Sequence, residues 1–148
     1  MRNLLLIIFS ILLLPACTNT ALRTQHSQLA KADSLMHAHP DSALALLQSI
    51  SADSLTDDAN RAYHALLLSQ ALDKNYIDKT DDSLINIAVT YYADKPVTPQ
   101  QMLAYYYQAR IKQNAKAYPE ALYAALHAEA TALQLNDHYY LGLIYRLM

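Results

Sequence analysis

Residues 98–135 read TPQQMLAYYYQARIKQNAKAYPEALYAALHAEATALQL, and this stretch decides the fold. Thr98 stands before a proline, and Gln101 follows it by three positions. A threonine side chain can take an otherwise unpaired amide of the first turn, and proline suits the first helical position because its missing N–H has no partner there anyway. A helix is therefore expected from Pro99 to about Asn114. Pro119-Glu120 opens a second one, running to about Leu135, in which Ala121, Ala125, Ala128 and Ala132 recur at spacings of four, three and four. That spacing puts all four on one face, and a stripe of alanines lets a neighbouring helix approach closely. The few residues between the two helices make them a hairpin.

Working toward the N-terminus, the same pattern recurs. Helices are expected near Ala21–His37, with Leu22, Leu29 and Met36 on one stripe, and from Pro40 to about Ile50, with Ala43, Leu44, Leu47 and Ile50 inward. Further helices are expected at Asp57–Leu72, with Tyr63, Leu66 and Leu67 on the buried side, and at Asp81–Tyr92. Toward the C-terminus, Asn136-Asp137 caps a seventh. The openings Asp41-Ser42-Ala43-Leu44, Asp82-Ser83-Leu84-Ile85 and Pro119-Glu120-Ala121-Leu122 each start a second helix. Ser42 to Ser83 is 41 residues and Asp82 to Glu120 is 38. Two helices per unit of about 40 residues is the mark of an α-solenoid, so the expected fold is all-α, about three and a half antiparallel hairpins.

Composition points the same way. The chain has 148 residues and one glycine, Gly142. A chain so poor in glycine has little means of making tight β-turns, dinucleotide loops or phosphate cradles, while its abundant alanine and leucine favour helix. The formal net charge of −2 makes neither nucleic acid nor anionic lipid an evident partner.

The N-terminus carries a different signal. Arg2 precedes the apolar run Leu4–Leu14, and Leu14-Pro15-Ala16-Cys17 follows. The run is shorter than the roughly 20 apolar residues a bilayer-spanning helix needs, but it suits the apolar region of a signal peptide over residues 1–16. Cys17 is the only cysteine, so no intrachain disulfide accounts for it.

Leu14, Ala16 and Cys17 resemble the lipobox of bacterial lipoproteins. The resemblance implies cleavage before Cys17, a diacylglyceryl group on its sulfur and an acylated new N-terminus. Two or three acyl chains hold a protein at a membrane where one does not, at about 0.8 kcal/mol per buried CH₂. Residues 17–20 then form a tether, and residues 21–148 the repeat domain. Within it, Tyr105–Leu133 resembles a tetratricopeptide repeat. Tyr105 takes the first aromatic position, Ala109 the small residue at the helix crossing, Tyr118 the turn, and Ala121 and Ala128 the small positions of the second helix. Lys112 stands where that family usually has tyrosine. The whole looks like the tetratricopeptide lipoproteins of Gram-negative bacteria. His138–Met148 starts a helix with no stop signal or polar cap, so the repeat array is expected to be incomplete at its C-terminal end. Thr18 after the lipidated cysteine, rather than aspartate, tilts the expected location toward the outer membrane.

No catalytic constellation is evident. The six histidines include His37 and His39, a surface pair at a helix end, and no His-Glu-x-x-His helix exists. Asp57-Asp58 and Asp81-Asp82 fall at helix starts, where carboxylates favour the dipole. The sequence therefore implies no enzyme, cofactor or metal. The twelve tyrosines are more informative. Successive helical residues point about 100° apart, so Tyr105, Tyr106 and Tyr107 cannot all face a core. Tyrosine gives large contact area and a hydroxyl at small entropic cost. First helices line the concave side of such repeats, which makes Tyr63, Tyr106 and Tyr107 the groove candidates. The expected function is a lipid-anchored protein–protein or peptide interaction module of the cell envelope, as the sensory or scaffold part of a larger protein. The alternative is a glycan-capturing lipoprotein on a helical scaffold.

Overall fold

A computed structural model describes the backbone of residues 15–148 and the side chains from residue 22 onward. It is all-helical: α1 (Pro15–Leu35), α2 (Pro40–Ser49), a 3₁₀ turn (Ala52–Ser54), α3 (Asp58–Lys74), α4 (Ser83–Ala93), α5 (Pro99–Asn114), α6 (Tyr118–Leu135) and α7 (His138–Tyr145). The apolar run Leu4–Leu14 lies outside the described residues, as does the side chain of Cys17. Helix α1 begins earlier than its apolar stripe implies and takes in residues 18–20, expected as a tether. Pro15 suits a first turn, and no proline or glycine follows it before Leu35 to break the helix.

Local chemistry sets the helix starts. The Thr98 hydroxyl accepts from Gln101 N at 3.2 Å, Asp57 accepts from Asn60 N at 2.9 Å, and Asp137 accepts from Tyr140 N at 3.0 Å. Each supplies an acceptor to an amide that has no partner within its helix. Gln101 does not reach back to the Thr98 amide, as a full capping box would require. Its amide instead donates to Tyr92 O at 2.9 Å and Ala93 O at 3.2 Å, closing the carbonyl end of α4 against the start of α5.

The helix ends are made without glycine. Tyr76, Lys116 and Asn136 take left-handed φ values of 59°, 59° and 56° just past α3, α5 and α6. Each is followed by the paired bonds of a Schellman turn: Ile77 N to Leu72 O, Ala117 N to Lys112 O, and Asp137 N to Ala132 O.

Two apolar clusters share α3 as a partition. Leu67 packs with Leu29, Met36, Ala43 and Leu47 of α1 and α2. Its neighbour Leu66 points the other way, into Ile85, Met102, Tyr107, Ala128 and Ile144. Burying a leucine or isoleucine side chain contributes about 1.5–3 kcal/mol, so each cluster stabilises the fold by several kcal/mol. The alanine stripe is buried as its spacing implies: Ala125 is 1% exposed, and Ala128 and Ala132 are fully covered, with α6 lying close along α5.

The main contacts run between neighbours. Helix α1 packs on α2 and α3, α2 on α3, α3 on α4 and α5, α4 on α5, α5 on α6, and α6 on α7. Polar bridges repeat this order. Tyr63 of α3 donates to Asp33 of α1 at 2.6 Å, Arg110 of α5 donates to Asp73 of α3, and Lys112 of α5 pairs with Asp82 before α4 at 2.7 Å.

Candidate binding clefts

Tyr63 sits where the start of α3 meets α1 and the end of α4. Capping orders this corner. Asp57 takes both the backbone and side-chain N–H of Asn60, which leaves Asn60 Oδ1 3.3 Å from His26 Nδ1. The His26 ring lies 6.0 Å from that of Tyr63. With Tyr91, Tyr92 and Gln100 they line an open cleft of about 290 Å³. Burial first, then the hydrogen bond to Asp33, pushes the Tyr63 hydroxyl well above the ordinary phenol range. Burial, with Tyr91 beside it, pushes Tyr92 up to about 12. Both stay neutral hydrogen-bonding phenols at any physiological pH. Tyr91 packs edge-on against Tyr92 at 5.0 Å, and Lys95 Nζ lies 4.8 Å from its ring centre. Its other side borders a second cleft of about 480 Å³ with Arg61, Ile87 and Thr90.

Of the three groove candidates, Tyr63 alone is half-exposed at a cleft. Tyr106 and Tyr107 are 7% and 3% exposed and belong to the core, so their expected groove role is corrected. The physical reason is α7. It lies over this face of α5 and brings the Tyr140 ring to 5.5 Å from Tyr106. The Tyr107 and Tyr140 hydroxyls hydrogen-bond, and burial above all pushes both phenols up, Tyr140 to about 12.

The tyrosine of that triplet that reaches a cleft is Tyr105. Its ring stacks on His127 of α6 at 4.9 Å and 20°, and Tyr123 meets the same imidazole edge-on at 4.6 Å. Tyr105 and Tyr123 line an open cleft of about 620 Å³ with Val89, Gln108, Lys112, Glu120 and Asp82, between α4 and α6 with α5 as its floor. The sequence assigns Tyr105 to hairpin packing; its half-exposed position follows from α4 and α6 standing apart over α5.

The acidic pairs serve structure. Asp57 caps α3, Asp58 pairs with Arg61, and Asp81 accepts from Ser83 N and Oγ at 2.9 and 3.0 Å. Asp82, read as a first-turn carboxylate, goes to Lys112 and to the Asn86 amide at 2.9 Å. Hydrogen bonding from Lys112, the largest cause, holds its carboxyl below the usual carboxylate range. Among the described residues, no three His, Cys, Asp or Glu side chains are grouped to hold a metal, and no helix is long and apolar enough to cross a membrane. His37 and His39 are exposed.

What the fold and clefts define is a class: an all-α chain with tyrosine-lined surface clefts. No known protein family, curated protein or solved structure matches it.

Proposed function

We propose that this chain is a lipid-anchored interaction module of the cell envelope, a tetratricopeptide-like α-solenoid that binds a protein or peptide partner. The neighbour-to-neighbour order of helix contacts supports the solenoid reading, because in such arrays each unit packs only on adjacent units. The first helices α1, α3 and α5 follow one another in contact, and each is tied to the next by a polar bridge. The lipobox-like Leu14-Pro15-Ala16-Cys17 supports an acylated Cys17 that holds the array at a membrane, with the outer membrane favoured by Thr18.

The observation that carries the interaction reading is the half-buried Tyr63 at an open aromatic cleft with His26, Tyr91 and Tyr92. Aromatic residues with hydroxyls at the edge of a concave surface suit recognition of a protein chain. Tyr63 is already held by Asp33, so it loses little freedom when a partner arrives. The test is a photo-crosslinking amino acid at Ala59, an exposed position lining this cleft. A discrete adduct is expected in intact cells, lost when Tyr63→Ala and Tyr91→Ala are combined. Crosslinks equal to those from a control position on the exposed side of α2 would count against the reading.

A further inference from the structure

The cleft between α4 and α6 has an unbalanced set of polar groups. Lys112 Nζ pairs with Asp82 at 2.7 Å, and Gln108 Nε2 gives one N–H to Asn86 Oδ1 at 2.8 Å. Beside them stand an unpaired carboxylate and two tyrosine rings. Glu120 is exposed and makes no hydrogen bond or ion pair among the described residues. The Tyr105 ring has one face against His127 and borders the cleft with Tyr123. Asp82 and Lys112 cancel, so Glu120 leaves this wall with one uncompensated negative charge.

Such a wall complements a group that carries positive charge and has a flat face. Guanidinium has five N–H donors, no acceptor and a planar shape that stacks on aromatic rings while forking onto a carboxylate. Cations over a tyrosine face gain further from the ring quadrupole. A neutral sugar would leave the Glu120 charge uncompensated, whereas a guanidinium pairs with it. We infer that the Tyr105–Tyr123–Glu120 cleft binds an arginine side chain of a partner peptide. This rests on the interaction-module reading and gives that partner a chemistry: it is basic, and it meets a surface separate from the Tyr63 cleft.

The test uses the full chain in detergent micelles and the blocked tripeptide acetyl-Gly-Arg-Gly-amide, followed by calorimetry or by chemical-shift changes of the tyrosine rings. Saturable binding is expected, weakened at least tenfold when citrulline replaces arginine and by each of Glu120→Gln and Tyr123→Ala. Both positions are exposed, and an unchanged circular dichroism spectrum verifies that the variants fold. Binding should also fall steeply as salt rises, as charge pairing at a surface does. Absence of saturable binding, equal binding of the citrulline peptide, or insensitivity to both variants overturns the inference. So does saturable binding of a neutral disaccharide that shifts the Tyr105 and Tyr123 rings. Crosslinking from Ala59 reports on the other cleft, so failure here with adducts there leaves the interaction reading standing.

Discussion

Arg110 of α5 and Asp73 of α3 join two helices: both Nε and Nη2 of the arginine donate to one oxygen of the aspartate, at 2.9 and 2.7 Å. The pair is partly screened, with side-chain exposures of 32% and 21%. It links α5 to α3 beside the buried Tyr106, whose phenol feels both charges.

Removing either partner should therefore loosen the packing of α5 on α3. Arg110→Ala is expected to cost about 1–2 kcal/mol, between the values for a charged hydrogen bond and for an exposed ion pair. Arg110→Lys should recover less than half, because an ammonium cannot make the double contact. Urea unfolding of the single and double variants with Asp73→Asn measures the coupling.

The glycine-free helix ends make a second expectation. Tyr76 and Lys116 hold left-handed backbone, which is unfavourable for a residue with a Cβ and easy for glycine. Lys116→Gly should stabilise by about 0.5–1 kcal/mol. The one natural glycine points the opposite way. Gly142 lies inside α7, and a Cβ there would meet nothing within 4 Å, so Gly142→Ala should also stabilise, by up to about 1 kcal/mol. Thermal melts of both variants test this pair.

The α5–α6 hairpin depends on small residues. Ala128 is fully buried, and Ala128→Leu should force the helices apart at a cost of about 1–3 kcal/mol. Ala130→Leu, one turn-face away and exposed, should change stability by less than about 0.5 kcal/mol.

Asp82 sets an acid-side expectation. Its carboxyl is held low, chiefly by Lys112, so the folded state binds this proton less readily than the unfolded state, where an aspartate titrates near 3.9. The stability it contributes is fully present above that unfolded value and is lost as pH falls through the depressed folded value. Denaturation midpoints for the wild type and Asp82→Asn should differ most near neutral pH and converge in acid. A constant gap from pH 7 to pH 2 would contradict the pairing.

The legible parts of the fold are those encoded locally. Thr98-Pro99, Asp57 and Asp137 mark helix starts within one residue because capping needs only an oxygen at the right offset. Ala121, Ala125, Ala128 and Ala132 identify a close helix contact because periodicity alone puts them on one face. What the sequence does not carry is which element covers which face. Tyr105, Tyr106 and Tyr107 are chemically alike, and only α7, through Tyr140, decides that the second and third are buried while the first borders a cleft. Gln101 reads as half of a capping box, but the nearby end of α4 offers it two carbonyls instead. The left-handed ends at Tyr76 and Lys116 leave no compositional trace, since the residue that usually marks them is absent.

The proposed role of this helical chain depends on its being held at a membrane through Cys17. The most direct measurement is the intact mass of the protein extracted from membranes, with fragmentation of its N-terminal peptide. The expected result is a chain beginning at Cys17 whose mass carries a diacylglyceryl group and an added acyl chain, with both the modification and membrane retention abolished by Cys17→Ala. A chain that still begins at Met1 with a free Cys17 thiol, recovered in the soluble fraction, would contradict it.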